Sequence, residues 1–378
     1  MGKWKAGTVG FVCGALFFSG LTYAATPVGI DVYFRKLQYF FDGVNKQPPQ
    51  DLQGFIYKDT TYVPLRFLSE SLGKPVSWDD ATSSIYVGDK PSQSSSPGSA
   101  ALQVFPKDNP WNTDISKYPV HKNSKQYMAS IGLNTSMHAD FGTTWQGADI
   151  GIPYTIVNGD QPKVNVTFTD YGDESEPGPY PIPANAPIEG GPDSDGDRHV
   201  IVVDKDNQLL YELYNAHYTP TGWKASNGAK WDLKSNALRP KYWTSADAAG
   251  LPIFPGLVRY DEASAGEINH ALRFTVSKTQ HGFIAPATHF ASNSTDPNLP
   301  PMGLRLRLRA DFDISGYSST NQAILRAMKK YGMIVADNGS NLYVSGAPDP
   351  KWDDNDLHKL GQLKGSDFEA VDTGPIEK

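Results

Sequence analysis

Apolar and polar residues alternate with a period of two through most of this chain, in short runs. Such runs span Ile152–Val157, Lys163–Phe168, His199–Val203, Leu209–Tyr214, Leu257–Tyr260, Glu267–Val276, Phe283–Ala285, Leu304–Ala310 and Leu342–Ser345, separated by Gly, Pro, Asn and Asp. This is the pattern of half-buried strands joined by turns. One stretch takes the helical period instead: Asn321–Tyr331, with Ile324, Leu325, Met328 and Tyr331 on one stripe, a cap among Ser318, Ser319 and Thr320, and Gly332 to end it. Residues 104–378 are therefore expected to form one large antiparallel β-sandwich or jelly-roll-like domain with one helix. No internal repeat is present.

The upstream part reads differently. Short apolar runs (Gly29–Tyr33, Lys36–Phe41, Gly54–Ile56, Thr61–Val63), a helix at Leu65–Leu72 and a closing strand at Ser84–Val87 predict a small α+β domain over residues 27–89. Trp78, Ile85 and Val87 are its expected core. Residues 90–103, KPSQSSSPGSAALQ, lack the apolar content to fold and predict a linker. Lys3 and Lys5 followed by an apolar run to Leu21 and small residues before Ala25 make 1–24 a secretory signal peptide.

Composition narrows the function. The only cysteine, Cys13, lies in the signal segment, so disulfides, thiolate metal sites and cysteine nucleophiles are excluded after cleavage. Losing Lys3 and Lys5 takes the formal charge from −7 to −9, which argues against nucleic acid as a partner. The expectation is a secreted, extracellular or cell-wall-associated protein that does not span the membrane after signal cleavage.

The segment Thr60–Gly88 resembles a known module. Val63-Pro64-Leu65-Arg66, Leu72-Gly73, Val76-Ser77-Trp78-Asp79 and the upstream Phe41-Asp42-Gly43 are similar to the copper amine oxidase N-terminal domain of surface and secreted proteins of Gram-positive bacilli. The resemblance implies an accessory or stalk module, without the copper and quinone of the oxidases' separate catalytic domain. Arg66 is expected to fasten a carbonyl or carboxylate. In the large domain, GPYPIPANAPIEGG (178–191), NALRPKYWTSADAAGLPIFPGLVRYDE (236–262) and YGMIVADNGS (331–340) are similar to phrases of secreted bacterial proteins to which no activity is attached, and they transfer no site.

Candidate chemistry centres on a hairpin. If Asp204 pairs with Asn207 across a two-residue turn, paired positions sum to 411 and His199 faces Glu212; a three-residue loop would place His199 opposite Leu213 instead. His270 lies on the Ile268/Leu272/Phe274/Val276 face, where a lone histidine is usually a satisfied core residue. Glu267 and Arg273 lie on the other face. His199, Glu212, Glu267 and His270 are the catalytic candidates. Glu212, Asp232 and Glu267 are the carboxylates that could pair for acid–base hydrolysis.

Trp231, Asp232 and Trp243 suit contact with sugar rings. In LRLRLR the leucines 304, 306 and 308 point one way, while Arg305, Arg307 and Arg309 point the other. The arginine row is either neutralised by neighbours such as Glu267 or Asp261, or, with Arg273, lines a cleft for an acidic polymer. Asp193, Asp195 and Asp197 alternate as in a Ca2+ loop but lack its bidentate glutamate. GxSxG, P-loop and GxGxxG patterns are absent. The expected role is to act on or bind polysaccharide or cell-wall glycan; the alternative is a non-catalytic cell-envelope adhesion or binding protein.

Overall fold

The computed structural model describes residues 31–79, 84–88, 102–145 and 147–378. The expected signal segment, 1–24, and nearly all of the expected linker, 90–103, lie outside them. The chain divides into two compact units, Met1–Gln93 and Ser94–Lys378. The mainly-β expectation is borne out.

The first unit contains three two-stranded ribbons: β1 (Tyr39–Phe41) with β2 (Val44–Lys46), β3 (Phe55–Tyr57) with β4 (Thr60–Tyr62), and β5 (Val76–Asp79) with β6 (Ser84–Val87). Helix α1 (Leu65–Ser71) sets the Phe67 ring edge-on against Tyr39 and Phe41, at 5.3 and 5.8 Å. Arg66 donates to the carbonyl of Val76 at 2.8 Å, tying helix to ribbon as expected. Trp78, Ile85 and Val87, expected in the core, are instead about half exposed.

The second unit opens with α2 (Ser124–Ile131), β7 (His138–Asp140) and the small hairpin β8 (Thr144–Trp145)/β9 (Ala148–Asp149), followed by β10 (Tyr154–Val157) and β11 (Val166–Phe168). Next come β12 (Val200–Asp204), β13 (Leu209–Tyr214), β14 (His217–Thr219), β15 (Gly222–Ala225) and β16 (Asn227–Asp232). Helix α3 (Tyr260–Ala265), β17 (Leu272–Val276), β18 (Arg305–Leu308), α4 (Ser319–Lys330), β19 (Met333–Asn338), β20 (Tyr343–Ser345), α5 (Asp354–Leu357) and β21 (Phe368–Val371) complete it.

Three main sheets result: β10-β12-β13-β16, β11-β15-β14 and β21-β18-β19-β17-β20-β7. They are mixed rather than purely antiparallel; β10 with β12, β11 with β15, β17 with β19 and β20 with β7 run parallel. The four-stranded sheet is buried on both faces, which explains the unbroken run VIVV. Ile201 and Val203 enter the main core, whereas Val200 and Val202 enter a second core with Tyr180, Leu213 and Trp223.

The expected helix is α4, capped by the Ser318 hydroxyl accepting from Asn321 N and ended by Gly332 at φ +71. Three more short helices join it in this unit. Tyr260, expected in a strand, begins α3, and Glu267–His270 form no strand, so the regular pairing starts only at Leu272. Among the described residues no helix is long and apolar enough to cross a membrane.

Candidate functional site

The β12/β13 register differs from expectation. Val200 pairs with Leu213, Ile201 with Glu212 and Val202 with Tyr211, so the positions sum to 413. The turn is longer because Asp204 uses its carboxylate to hold Asn207, accepting from its backbone N at 3.0 Å and its side-chain amide at 2.7 Å. Gln208 then takes a positive φ of 55°. His199 consequently meets the Tyr214 ring, at 5.8 Å, and not Glu212. A slip of two residues keeps every side chain on its face, so His199 and Glu212 still share one, displaced along the strands.

Glu212 is fully buried. Its Oε1 accepts from Phe254 N at 2.8 Å and its two oxygens share Ile253 N, at 2.9 and 3.0 Å, so it pins the turn at 253–256. Burial pushes its carboxyl up to about 8 against the pull of those amides. Neither catalytic member of the expected pair meets the other.

A different group does converge. Arg273, from β17 and fully buried, donates from Nε and Nη2 to Oδ2 of Asp247 at 3.2 and 3.1 Å, and from Nη1 to the Ser345 hydroxyl at 2.6 Å. It therefore faces inward onto Asp247 and is not the substrate contact expected. Burial raises the Asp247 carboxyl to about 7, with Arg273 pulling it down and Asp337 pushing it up. Arg273 itself stays charged because Asp247, Asp337 and Glu189 outweigh the cost of its burial.

Asp337 reaches this group through an irregularity in pairing. Arg273 pairs with Ile334 and Phe274 with Val335, but Thr275 pairs with Asp337, leaving Ala336 as an extra residue in β19. Without that bulge Asp337 would point to the opposite face of the sheet; with it, Asp337 joins Arg273. It is half-buried at the strand's end, and desolvation raises its carboxyl while Arg273 counteracts.

Ser345 pairs with Asp140 of β7, so Asp140 lies on the same face beyond Arg273. Asp140 is solvent-exposed, yet the protein around its carboxyl raises it, opposed by His138 and Arg273. The exposed His138 ring lies tilted against Tyr343 with ring centroids 4.3 Å apart. Glu189 completes the rim, accepting from His199 N at 3.3 Å. His199 is itself 3 % exposed, with Nε2 3.9 Å from Glu189 and a buried Nδ1 that meets no hydrogen-bond partner.

The other expected site residues are placed elsewhere. The ring of His270 bonds the Ala271 carbonyl through Nδ1 at 2.8 Å, and Arg259 and Glu262 flank Nε2 at 2.9 and 3.2 Å. Arg259 and His270 overcome burial to hold Glu262 near 2, so the cluster is a locked structural ion network. Glu267 is on the surface, near Lys330.

Trp231 and Trp243 bracket the guanidinium of Arg239, at 5.5 and 5.6 Å, and Arg239 also pairs with Glu176. Their slot is filled by the chain itself. Asp232 is exposed and accepts from Lys234 N.

The arginine row forms no polymer cleft. Arg307 bonds Glu369 and the carbonyls of Ile115, Ser116 and Tyr118; among the described residues Arg305 bonds only the carbonyl of Pro110, and burial lowers it to about 9. Arg309 pairs with Asp311 at 3.4 Å and with Glu369 at 3.9 Å, so the neutralising neighbours of the row are Glu369, Asp311 and main-chain carbonyls. Glu267 and Asp261, the expected partners, are not among them.

Asp193, Asp195 and Asp197 are exposed along a loop held by Arg198, which donates to the carbonyls of Pro192, Ser194 and Ala216. Among the described residues no three His, Cys, Asp or Glu side chains are grouped so as to hold a metal ion. Residues 31–88 contain neither His nor Cys.

Asp140, Asp247 and Asp337 escaped sequence reasoning because two strands and a loop distant in sequence place them around Arg273. A usable signal existed: Asp247 and Asp337 lie in two of the distinctive phrases, and Asp337 ends an apolar strand run, where open sheets place ligands. Neither the curated proteins nor the solved structures yield a match to the chain. Residues 40–96 match the model of the copper amine oxidase N-terminal domain, which bears out the resemblance of the small unit and reaches none of the residues of this site.

Proposed function

We propose that the large unit is an extracellular glycan hydrolase whose acid–base centre is Asp337 with Asp140, tuned by Asp247 and Arg273. The observation that carries the reading is the bulge at Ala336, which turns Asp337 onto the Arg273 face at the mouth of a buried charge cluster. Three carboxyls, Asp247, Asp337 and Asp140, share the field of one buried cation, and burial raises all three, Asp247 to about 7. A carboxyl kept protonated is what a departing sugar oxygen requires.

Asp337 and Asp140 stand on strands three apart in the order β19-β17-β20-β7, and Asp140 lies two residues along from the position level with Asp337, which puts about 16 Å between their Cα atoms. The acidic rim of Glu189 and Asp197 favours a neutral glycan and an oxocarbenium-like transition state. The signal-like segment supports action outside the cell, and the small unit serves as the accessory module.

The test is product analysis by mass spectrometry after incubating the full chain with a panel of neutral and acidic polysaccharides. New oligosaccharides that vanish in Asp337→Asn and Asp140→Asn, both normally folded, are expected. Products that persist in both variants would overturn the assignment, as would a folded wild-type protein that cleaves nothing in the panel.

A further inference from the structure

The three-stranded sheet carries a second concave feature, independent of the acid–base reading. A cavity of about 300 Å3 lies at the β14/β15 turn, walled by Tyr218, Pro220, Thr221, Asn165, Val164 and Ile182. That volume is at the lower end of the roughly 300–1,000 Å3 of small-molecule clefts, which suits one or two sugar rings.

Its chemistry is specific in what it offers. Tyr218 is 53 % exposed, a large aromatic face turned to solvent, and its ring is braced at 5.3 Å by Trp223, its cross-strand partner, which is 1 % exposed. The bracing matters because an aromatic already held in place loses little freedom on binding. The turn below is equally fixed: Thr219 Oγ1 donates to the Gly222 carbonyl at 2.7 Å, and Gly222, at φ +123, lies so close to the Asn165 carbonyl that a Cβ would approach it to 3.0 Å. The lining contains no ionisable side chain other than the phenol of Tyr218; its polar groups are an amide and a hydroxyl.

We propose that this cavity is a glycan-binding subsite for neutral sugar rings, with Tyr218 as the stacking platform and Asn165 and Thr221 as hydrogen-bonding partners for hydroxyls. A flat apolar face with hydroxyls at its edge complements an aromatic wall flanked by neutral polar groups, whereas an anion would find no cation in the lining. Tyr218 and Thr221 lie outside the Asp337/Asp140 centre, so the subsite holds a chain without acting on it.

The experiment is affinity electrophoresis of the full chain through gels containing neutral polysaccharides (a β-glucan, a xylan, a mannan), with pectate as the acidic comparison, and thermal midpoints as folding controls. Retardation by at least one neutral polymer is expected. Tyr218→Ala should weaken it by about tenfold, while Tyr218→Phe, which keeps the face, should retain it. Unchanged retardation in Tyr218→Ala, retardation by pectate alone, or no retardation by any neutral polymer would each overturn the proposal. Because the readout is mobility, the result stands whether or not Asp337→Asn abolishes cleavage.

Discussion

Thr275 of β17 lies opposite Asp337 of β19, one residue later than the preceding pairs predict, because Ala336 is bulged out of the ladder. That single extra residue determines whether a carboxyl faces the buried Arg273 or the apolar interior.

Asp337 and Asp247 should separate chemistry from stability. Asp337→Asn is expected to lower the cleavage rate by about 10²–10⁴ with the thermal midpoint unchanged or raised. Asp247→Asn leaves Arg273 buried without its ion-pair partner and should cost about 3–5 kcal/mol. Rates alongside calorimetric midpoints check both; an Asp337→Asn protein that is merely unstable would remove Asp337 from the chemistry.

Arg305 and Arg307 should behave oppositely despite their shared face. Arg305 has no carboxylate partner, so Arg305→Met is expected to be neutral or stabilising by about 1–4 kcal/mol. Arg307→Met strands Glu369 and should destabilise by about 2–3 kcal/mol. Urea denaturation of the two variants measures the contrast, and equal losses would contradict it.

The Trp231–Arg239–Trp243 clamp is expected to be structural. Arg239→Leu deprives Glu176 of its partner and should cost about 3 kcal/mol, read as a lower midpoint, while glycan retardation is unaltered. A selective loss of glycan binding at normal stability would return these indoles to the binding role their sequence context suggests.

Glu212 predicts a pH dependence. Between the ordinary carboxylate pKa near 4.5 and about 8, the unfolded chain has released this proton and the folded chain retains it. Its contribution to stability is therefore full below about 4.5 and declines as pH rises through that window. The wild-type thermal midpoint should fall between pH 6 and 8, and Glu212→Gln, which cannot ionise, should flatten that slope. An identical slope in both proteins would place the pH dependence elsewhere.

What could be read beforehand follows a physical line. Period-two patterning put Leu272, Phe274 and Val276 on one face and Arg273 on the other, and the stripe of Ile324, Leu325 and Met328 found α4, because burial acts locally. The His199/Glu212 register missed by two residues because one Asx interaction, Asp204 with Asn207, lengthened the turn. Asp337 was illegible for a deeper reason: a bulge between parallel strands some 60 residues apart leaves no local trace. Trp231 and Trp243 looked like open platforms because sequence does not show that Arg239 fills the space between them.

The carbonyls that receive Arg305 and Arg307 come from Pro110, Ile115, Ser116 and Tyr118, near the start of the large unit. The opening residues are thus a lid over two buried guanidinium groups rather than a lead-in to the fold. Any excision or gene fusion that joins this unit to another partner has to make its seam upstream of Pro110, and the Ser/Pro/Gly stretch ending at residue 103 is the interval where recombination could exchange the small module without uncovering those cations.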